Sequence, residues 1–369
     1  MRVLHLLSST GFHGAESMTA ELVRQLSALG VEIHVAAFDN GDGGNTEVLR
    51  AVEGHVHQVA RIPCRGPLDR QAFRALSAYI AQHDIEVVHS HKYKTTFYAL
   101  PSRLKGRVQL VTTYHNWITH TPALKFYAWL DKRLARFNDA AVAVSTPVAQ
   151  ELRGHMAANK VHQIDNGIDT ERYARQMPRE QAKLALGLDP ARPVLGFVGR
   201  LSREKGLPDL LQALSLPSGP GPDVQVLIVG EGEERQALEA LIGQQGLGQR
   251  VTLLGNRRDT PLIYSALDAF VLPSVLEAFP MVILEAMACA CPVVATKVGE
   301  VARIIEPGIT GLIVPPRNPS ALAQALTEIL TNPGRSQQMG AAAQLRVCQA
   351  FSSGAMARHY LQVYETALA

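Results

Sequence analysis

The sequence predicts an α/β protein of two domains, each a doubly wound parallel sheet, that face each other across a cleft. Short apolar runs rich in β-branched residues alternate with amphipathic stretches along the chain, which is typical of βαβ units. A chain of 369 residues also exceeds what one hydrophobic core usually supports. We therefore expect an N-terminal domain at 1–170, a C-terminal domain at 171–350, and a last helix at 351–369 that packs back on the first domain.

Each half of the chain has its own series of strands and helices. In the first half we expect strands at 3–7, 32–38, 56–62, 86–90, 108–113, 140–145 and 161–164, and helices at 17–29, 69–82, 95–104, 122–137 and from 147 onward. In the second half we expect strands at 194–198, 224–229, 251–254, 269–272, 293–296 and 312–314, and helices at 207–214, 234–243, 261–266, 282–289, 320–330, 335–350 and 355–368. The turn-rich segment 40–45 predicts a flexible loop, and the interruptions within 169–190 predict the hinge.

Charge and cysteine content exclude several classes of protein. The formal net charge is +3, and all of the excess lies in residues 1–170, with 18 Lys and Arg against 15 Asp and Glu. The segment 92–136 is especially basic, but the chain has no recognised reader module and is not basic enough overall for nucleic-acid binding. Four scattered cysteines predict neither a disulfide framework nor a zinc site. Because no apolar run reaches the roughly 18 residues that cross a membrane, we expect a cytoplasmic protein.

The loop after the strand predicted at 194–198 carries two cations. Arg200 and Lys205 stand in Gly-Arg-Leu-Ser-Arg-Glu-Lys-Gly, between that strand and a helix. The loop after a parallel strand lies at the ligand-binding edge of an open α/β sheet, so both side chains can face one ligand. Two cations and a helix N-terminus can hold a diphosphate without a metal, each charge-assisted bond contributing roughly 1.5–3 kcal/mol. The alternative is a pair of solvated surface cations.

Two carboxylates follow the strand predicted at 269–272. Glu277 lies in the loop and Glu285 in the next helix, which ends before Pro292. An acid beside an anion site repels the anion unless it faces another group, and a carboxylate is a strong acceptor for sugar hydroxyls. This stretch therefore predicts a pocket that holds a phosphate and a polyol together. Alternatively, Glu277 only favours the helix dipole and Glu285 is a solvated helix residue.

The first strand is followed by a turn with two glycines. Gly11 and Gly14 would let the backbone approach a phosphate, although the turn lacks the dinucleotide-binding pattern Gly-x-Gly-x-x-Gly. The acid expected at the end of the second strand is Asp39. On its own, this turn equally predicts an ordinary connection. His115 has a similar alternative, as a histidine that makes local hydrogen bonds at the end of a strand.

Taken together, these segments resemble a known family. The similarity lies in Gly199-Arg200-Leu201 with Glu204-Lys205-Gly206, Val229-Gly230-Glu231-Gly232, Gly255 with Asp259, Glu277-Ala-Phe-Pro with Glu285-Ala-Met-Ala, and Thr310-Gly311-Leu312, and more loosely in 11–16, 88–91, 113–116 and 166–169. In this order and spacing the chain resembles the retaining GT-B glycosyltransferases of glycosyltransferase family 4, whose fold is two Rossmann-like domains. The resemblance covers nearly the whole chain and is stronger in the second half.

The resemblance implies roles for individual residues. Arg200 and Lys205 would bind the donor diphosphate, Glu277 the donor sugar and Glu285 the ribose. His115 would sit beside the reacting centre, and it would form the catalytic set with Glu277, Arg200 and Lys205. Further donor contacts would come from Gly14, Glu16, Asn166, Gly199, Asn256, Arg257, Ala278, Phe279, Pro280 and Met281. The resemblance implies no metal and no cofactor other than the nucleotide diphosphate sugar, which is the donor substrate.

The resemblance also implies a reaction. A sugar would move from a UDP- or GDP-sugar to a hydroxyl of a glycan or lipid-linked acceptor, with retention of configuration, in the synthesis of a surface polysaccharide or lipopolysaccharide. If the leaving diphosphate accepts the acceptor's proton, catalysis is chiefly stabilisation of the departing charge. A double displacement would need a carboxylate nucleophile that the sequence does not identify. The alternatives are a nucleotide-sugar epimerase of the same fold and a non-catalytic nucleotide-sugar-binding protein.

Three positions depart from the family pattern. Glu300 follows Gly299 where Gly-Gly is usual, Arg303 stands where a glutamate is usual, and Ala290 stands where a glycine often ends the helix. Because Arg303 reverses the expected charge, we assign no role to the loop that contains Glu300 and Arg303.

The helix predicted at 122–137 has a basic side that includes an aromatic ring. On a helical wheel, one side holds Phe126, Leu130, Leu134 and Phe137, and another holds Lys125, Lys132, Arg133 and Arg136 with Trp129 among them. A tryptophan surrounded by cations suits an anionic membrane surface or a lipid-linked acceptor. We therefore expect the basic side to be exposed and the protein to bind peripherally at the inner face of the cytoplasmic membrane. The alternative is a solvated face with Trp129 packed on a neighbouring element.

Overall fold

Two compact units make up the protein. The computed structural model describes residues 1–8, 14–39, 41, 46–66, 68–115, 117 and 122–369. The first unit comprises 1–167 and 353–369, and the second comprises 168–352. Gly11, Asn40, the segment 42–45 and Asn116, which the sequence reasoning mentions, lie outside the described residues.

The described residues form thirteen strands and fifteen α-helices. The strands are β1 (Arg2–Leu7), β2 (Glu32–Asp39), β3 (Gln58–Pro63), β4 (Val87–Ser90), β5 (Gln109–Tyr114), β6 (Ala140–Ala143), β7 (Val161–Gln163), β8 (Val194–Val198), β9 (Gln225–Val229), β10 (Val251–Gly255), β11 (Ala269–Leu272), β12 (Val293–Thr296) and β13 (Leu312–Val314). The helices are α1 (Gly14–Ala28), α2 (Thr46–Val52), α3 (Arg70–Gln82), α4 (Tyr93–Leu104), α5 (Pro122–Ala135), α6 (Thr146–Arg153), α7 (Arg179–Ala185), α8 (Leu207–Ser215), α9 (Arg235–Gln244), α10 (Thr260–Ala266), α11 (Met281–Ala288), α12 (Val301–Ile304), α13 (Pro319–Thr331), α14 (Pro333–Ala350) and α15 (Ser353–Leu368).

The first unit is a parallel sheet in the strand order β3-β2-β1-β4-β5-β6-β7. Side chains alternate between the two faces of β1, and helices cover both faces. Val3 and Leu7 belong to a core with α1 and α15, whereas Leu4 and Leu6 belong to a core with α3 and α4. The last helix of the chain is therefore part of the first unit.

The second unit is a parallel sheet in the strand order β10-β9-β8-β11-β12-β13. One continuous hydrophobic core runs through it and includes both Ile168 and Phe351. The central strands are short apolar runs that are buried almost throughout, as expected when helices cover both faces of a parallel sheet.

The order of the strands reverses near the middle of each sheet. In the first unit β1 lies beside β4, and in the second β8 lies beside β11. The connections from such neighbouring strands leave on opposite faces of the sheet, which opens a crevice at the carboxyl ends of the strands. The loops after β8 and β11, which carry the predicted cations and carboxylates, therefore meet at this point.

The sequence pattern misses three short helices. Both α2 and α7 have seven residues and α12 has four, which is too short for a clear helical period. The segment 169–190, where the hinge is predicted, contains α7, and both Arg179 and Lys183 pair with Asp268, at 3.0 and 2.7 Å. Several boundaries also differ by a few residues; for example, α1 begins at Gly14 and α5 ends at Ala135.

The end of α11 shows why a glycine is common at position 290. Ala290 has a φ of 52°, a left-handed backbone conformation that favours glycine. Its carbonyl oxygen faces α14, where a Cβ atom on Gly340 would lie only 2.3 Å from it. α14 can therefore pack this closely on the end of α11 because position 340 has no side chain.

We predict that Gly340→Ala destabilises the second unit, although alanine ordinarily stabilises a helix by about 1 kcal/mol relative to glycine. The added methyl group must displace the Ala290 carbonyl, and overpacking of this kind costs about 1–3 kcal/mol. Gly334→Ala in the same helix is the matched control, since no atom lies within 4 Å of a Cβ atom built there. Urea unfolding followed by circular dichroism measures both variants. Equal midpoints for the two variants would contradict the close approach.

Candidate functional site

An ion pair joins the loops that follow β8 and β11. Lys205 Nζ donates to Glu277 Oε1 over 2.6 Å, and the Ser274 hydroxyl donates to the same oxygen over 2.7 Å. The Lys205 and Glu277 side chains are only 19% and 10% exposed. Gly206 permits the approach of the two loops, because its φ is 63° and a Cβ atom there would lie 2.2 Å from the Pro273 carbonyl oxygen. The structure therefore brings a predicted cation and a predicted carboxylate into contact.

This pairing changes the electrostatics at the carboxyl edge of the sheet. A lone carboxylate would repel an incoming phosphate, whereas a carboxylate held by an ammonium group adds little net charge. An ammonium group donates up to three hydrogen bonds, and a carboxylate has a second oxygen for hydroxyl donors. The Lys205–Glu277 pair can therefore accommodate a phosphate and a polyol side by side.

Arg200 lies in the same loop but has a different partner. Its guanidinium is 64% exposed and donates to Glu204 Oε1 over 2.5 Å. The backbone of Glu204 also holds the loop after β11, since its carbonyl oxygen accepts from the N–H of Val275 over 2.8 Å. The structure thus places Arg200, directly after Gly199, at the carboxyl end of β8, with its ionic contact to Glu204 rather than to Glu277.

The backbone of residues 278–281 leads into the first turn of α11. Pro280 precedes the helix without a side-chain cap, and Met281 is its first residue. The first N–H groups of a helix have no intrahelical partner and attract anions. The Ala278 carbonyl oxygen accepts from the N–H of Glu300 over 3.0 Å, and Phe279 is buried. This segment is therefore held in place by its neighbours.

Glu285 is a positioned acceptor on α11. The Tyr264 hydroxyl donates to Glu285 Oε2 over 2.7 Å. Burial raises the pKa of Glu285, while hydrogen bonds from Tyr264 and Tyr173 and the charge of Arg172 oppose the increase. The side chain is therefore not a freely solvated helix carboxylate.

Asn256 and Arg257 lie in the exposed loop after β10. Arg257 donates two hydrogen bonds to Asp259, from Nε to Oδ1 over 2.8 Å and from Nη2 to Oδ2 over 2.5 Å. Since β9 lies between β10 and β8, this loop is two strands away from the loop of Lys205. The structure places these residues on the same edge of the sheet as the ion pair but not in contact with it.

A second group of predicted residues lies in the first unit. Glu16 lies in the first turn of α1, which begins at Gly14, and its Oε1 pairs with Lys92 Nζ at 3.3 Å. Burial lowers the pKa of His115 to about 4, with Glu16 acting to raise it and Lys92 to lower it. Within the described residues, His115 Nε2 and the buried Asn166 Oδ1 have no hydrogen-bond partner. His115 is therefore neutral at pH 7, with one ring nitrogen available to a ligand.

A histidine network crosses the core of the first unit; its members are His5, His89, His91, Thr19, Thr113 and Tyr364. His5 Nδ1 lies 3.1 Å from His91 Nε2, and the Tyr364 hydroxyl lies 3.3 Å from His5 Nε2 and 2.6 Å from His89 Nδ1. The remaining nitrogens, His89 Nε2 and His91 Nδ1, lie 2.8 and 3.4 Å from threonine hydroxyls. Every ring nitrogen of these three histidines thus has a partner inside the network.

Burial keeps the histidine network neutral. It lowers the pKa of His5 to about 3, and it lowers the pKa values of His89 and His91 well below the usual range, with further lowering from neighbouring histidines. A neutral imidazole donates a hydrogen bond from one nitrogen and accepts one at the other, so it can take part in a continuous series of hydrogen bonds.

Four residues that position these groups were not predicted from the sequence. Ser274 and Lys92 each lie two residues after the end of a strand, at the edge where ligands bind, and this position was an available signal. Tyr264 and Glu300 reach their partners only through tertiary packing, which no local pattern reveals. Glu300 is buried and pairs with Arg303 at 3.6 Å, so the reversed charge at position 303 has a local partner.

The exposed side of α5 differs in part from the helical-wheel prediction. Trp129 is 53% exposed, as predicted, but Phe126 is 55% exposed and stacks on it instead of facing the core. Lys132 is not a solvated cation of the basic side, because its Nζ pairs with Glu151 at 2.8 Å and lies 4.9 Å from the centre of the Trp117 ring. The buried side of α5 consists of Ala128, Asp131, Leu134 and Ala135. A helical wheel shows one helix by itself, so it does not predict the contacts that neighbouring elements make with its side chains.

Two doubly wound parallel sheets are the architecture of GT-B glycosyltransferases. The family described as Glycosyl transferases group 1 matches residues 178–346, and the one described as Glycosyltransferase Family 4 matches residues 12–172. The chain belongs to this glycosyltransferase family, and the fold and enzyme class predicted from the sequence are confirmed.

Individual relatives agree with this assignment. Alpha-maltose-1-phosphate synthase of Mycolicibacterium smegmatis is 32% identical over 305 residues, which are 75% of this chain and 78% of the relative. The lipopolysaccharide core biosynthesis mannosyltransferase LpsB of Rhizobium meliloti is 31% identical over 270 residues, 71% of this chain and 74% of the relative. The crystal structure of HepE of Anabaena in complex with UDP has a TM-score of 0.85 at 23% identity and covers 98% of this chain and 99% of its own, a likeness of fold.

In the part of the chain that the structure describes, no helix is both long enough and apolar enough to cross a lipid bilayer.

We predict that the first unit loses stability as the pH falls from 6.5 toward 4. His5, His89, His91 and His115 have lowered pKa values in the folded chain, so the unfolded chain, with histidine pKa values near 6.5, binds more protons in this window. The stability that these histidines contribute is therefore fully present above about pH 6.5 and is lost by up to about 1.4 kcal/mol per pH unit for each histidine, while Asp131, whose pKa burial raises to about 7, offsets part of the loss. Both tryptophans, Trp117 and Trp129, lie in the first unit, so tryptophan fluorescence during urea unfolding reports on it alone.

The control for this prediction replaces one histidine of the network and one outside it. His91→Gln should flatten the dependence of the unfolding free energy on pH, whereas His55→Gln, at an exposed position, should leave it unchanged. An unfolding free energy that is the same at pH 7 and pH 5 would contradict the neutral buried histidines.

Proposed function

We propose that this glycosyltransferase is a retaining, metal-independent hexosyltransferase that uses a UDP- or GDP-sugar. Its acceptor would be a hydroxyl of a glycan or lipid-linked intermediate in surface polysaccharide or lipopolysaccharide synthesis. The observation that carries the proposal is the contact of Lys205 with Glu277 where β8 lies beside β11. That contact offers a cation for the diphosphate next to a carboxylate for the sugar hydroxyls.

The proposed reaction depends on charge stabilisation more than on a base. As the bond from the anomeric carbon to the diphosphate breaks, negative charge grows on the diphosphate oxygen. Lys205, Arg200 and the first N–H groups of α11 would stabilise that charge, so no metal ion is required. The same oxygen then accepts the proton of the acceptor hydroxyl, which bonds to the anomeric carbon from the face that the diphosphate leaves. The configuration is therefore retained.

His115 would act in this reaction as a neutral side chain. Because burial keeps its pKa near 4, the imidazole is uncharged at pH 7 and its Nε2 can hydrogen-bond to the sugar. A neutral hydrogen-bonding partner orients the sugar and does not compete with Lys205 for the diphosphate.

The remaining donor contacts follow from the positions of the residues. Glu285, held by Tyr264, would bind the ribose, and the loop of Asn256 and Arg257 would meet the base. HepE, which shares this fold, has been solved with UDP and with UDP-glucose, which supports a uridine donor. Residues placed around the sugar and diphosphate would be Gly14, Glu16, Asn166, Gly199, Ala278, Phe279, Pro280 and Met281.

The acceptor is proposed from the surface of the first unit. Phe126 and Trp129 stack with ring centroids 5.9 Å apart, and the Arg133 guanidinium lies 5.5 Å from the centre of the Trp129 ring. Lys125 is exposed on the same helix, and Arg136 is exposed directly after its end. Exposed aromatic rings beside cations bind the interface of anionic membranes. We therefore place the protein in the cytoplasm, peripheral at the inner face of the cytoplasmic membrane.

A cavity beside these rings supports a lipid-linked acceptor. Its volume is about 550 Å³, within the range of roughly 300–1,000 Å³ that small ligands occupy. Its lining is mainly apolar and consists of Gly66, Leu68, Tyr93, Lys94, Phe97, Phe126, Tyr127 and Leu130. Tyr93 is the first residue of α4, close after β4, so the cavity lies toward the carboxyl edge of the sheet. It would hold part of the hydrocarbon chain, with Lys94 near the lipid phosphate. The relative LpsB is named for lipopolysaccharide core synthesis, which agrees with such an acceptor.

We predict that a UDP-sugar stabilises the protein and that Lys205→Ala weakens its binding about 10- to 150-fold. The estimate is the loss of one charge-assisted hydrogen bond, about 1.5–3 kcal/mol. Arg203→Ala is the matched control, because Arg203 lies in the same loop, is 90% exposed and pairs with Glu234. Thermal-shift titration with UDP-, GDP- and ADP-sugars measures binding, since a ligand at a hundred times its dissociation constant adds about 2.7 kcal/mol. Equal affinities for the two variants would remove the basis of the proposal.

We predict that Phe126→Ser combined with Trp129→Ser reduces binding to anionic vesicles at least about tenfold, because it removes the two exposed rings of α5. Sedimentation with vesicles of phosphatidylcholine and 30% phosphatidylglycerol measures the effect. Leu345→Ser in the second unit is the control, since Leu345 is 59% exposed but lies on another unit. Binding should also fall as salt is added. Undiminished binding of the double variant would assign the membrane contact to another surface.

A further inference from the structure

A cluster of three histidines and one glutamate lies at the amino edge of the first sheet. Glu32 is the first residue of β2, and His34 follows two residues later on the same face. His57 immediately precedes β3, and its N–H donates to the Ile33 carbonyl oxygen over 2.8 Å. His83 ends α3. The cluster is therefore at the opposite edge of the sheet from the loops that carry the candidate active site.

The spacing of these side chains matches a tetrahedral metal site. Glu32 Oε1 lies 3.3 Å from His34 Nε2 and 3.6 Å from His57 Nε2, and one ligand atom from each of the three residues lies within 4.8 Å of the others. Ligand atoms on a tetrahedral Zn²⁺ are about 3.4 Å apart, since the Zn–N and Zn–O bonds are about 2.0–2.2 Å. The ring centroids of His57 and His83 each lie 5.1 Å from that of His34, and two imidazoles on one Zn²⁺ are also about 5 Å apart.

Two further features favour metal binding at this cluster. The Tyr79 hydroxyl lies 2.9 Å from His34 Nδ1, so the ring has the kind of outer partner that fixes the orientation of metal-binding histidines. The His57 side chain is 58% exposed, which gives a metal ion a path from solvent. The histidine network, by contrast, is fully buried and its ring nitrogens are all engaged.

We propose that Glu32, His34 and His57 bind a divalent transition-metal ion. Two imidazoles and one carboxylate, with a fourth position open to water, suit Zn²⁺, and Cu²⁺ and Ni²⁺ also bind imidazole. The ion joins the start of β2 to the start of β3, and it stabilises the first unit. It takes no part in sugar transfer, which the proposed function places at the opposite edge. The competing explanation is a His–Glu ion pair that binds no metal.

The test uses the full chain, freed of metal by a chelator and titrated with Zn²⁺ by isothermal calorimetry. The unmodified protein should bind Zn²⁺ at this site and show a higher Tm when loaded. Co²⁺ in place of Zn²⁺ should give the visible absorption of a tetrahedral site. His57→Ala should abolish this binding without loss of fold, because His57 is exposed in the turn before β3. Tyr79→Phe, which keeps all three ligands, should lower the affinity about 10- to 100-fold.

Two control variants separate this site from other surface histidines. His55→Ala, two residues from His57, and His155→Ala, beside Glu151 at 3.5 Å, should bind Zn²⁺ as the unmodified protein does. Binding that survives His57→Ala unchanged, or that is lost in His155→Ala instead, overturns the proposal, as does the absence of Zn²⁺ binding by the unmodified protein. None of these outcomes depends on the donor or acceptor, so failure here leaves the proposed transferase function untouched.

Discussion

The contact between Lys205 and Glu277 is the interaction on which the candidate site of the second unit depends. It joins loops that leave neighbouring strands, so it exists only because β8 lies beside β11. The pair is largely buried, and removing one partner of such a pair leaves an uncompensated charge, which costs more than the pair itself contributes. In the proposed reaction an arriving diphosphate attracts the ammonium group of Lys205 and leaves Glu277 available to the sugar hydroxyls. The diphosphate and the sugar would then be recognised together, because Glu277 becomes available to the sugar only when the diphosphate draws Lys205 away from it.

The first unit tolerates polar side chains in its core because these side chains hydrogen-bond to one another. The hydroxyl of Tyr364 on α15 contacts both His5 on β1 and His89 on β4, so the last helix completes a network that begins on the central strands. Without that hydroxyl, two buried imidazoles would each lose a partner, at about 1–3 kcal/mol for each unsatisfied group. The helix is thus tied to the sheet by polar contacts as well as by the apolar core it shares with Val3 and Leu7. This explains why the end of the chain belongs with its beginning.

The sequence predicted the fold well because parallel strands buried on both faces are recognisable as short apolar runs. Every strand of the second unit lies where its run predicts, whereas the seven-residue helices α2 and α7 are too short to show a period. Strand ends also located Lys205 and Glu277, since the position of a loop follows from the strand before it. The contact between them, the support of Glu285 by Tyr264 and the pairing of Arg200 with Glu204 depend on which loops become neighbours. Strand order sets those neighbours, and no local pattern encodes it.

The sequence also does not show which of the cations in 92–136 are paired with carboxylates. A count of Lys and Arg over 92–136 treats all of these cations alike, but the structure separates them by their partners. Lys92 pairs with Glu16, Arg103 with Asp139 and Lys132 with Glu151, so these charges are compensated within the first unit. Arg133 and Arg136 instead lie over the Trp129 and Phe137 rings, at 5.5 and 4.9 Å, and both are exposed. A guanidinium on an aromatic face keeps its full charge, and neither arginine pairs with a carboxylate among the residues that the structure describes. The positive potential that α5 and the residue after it present to solvent is therefore set by these cations and not by the total.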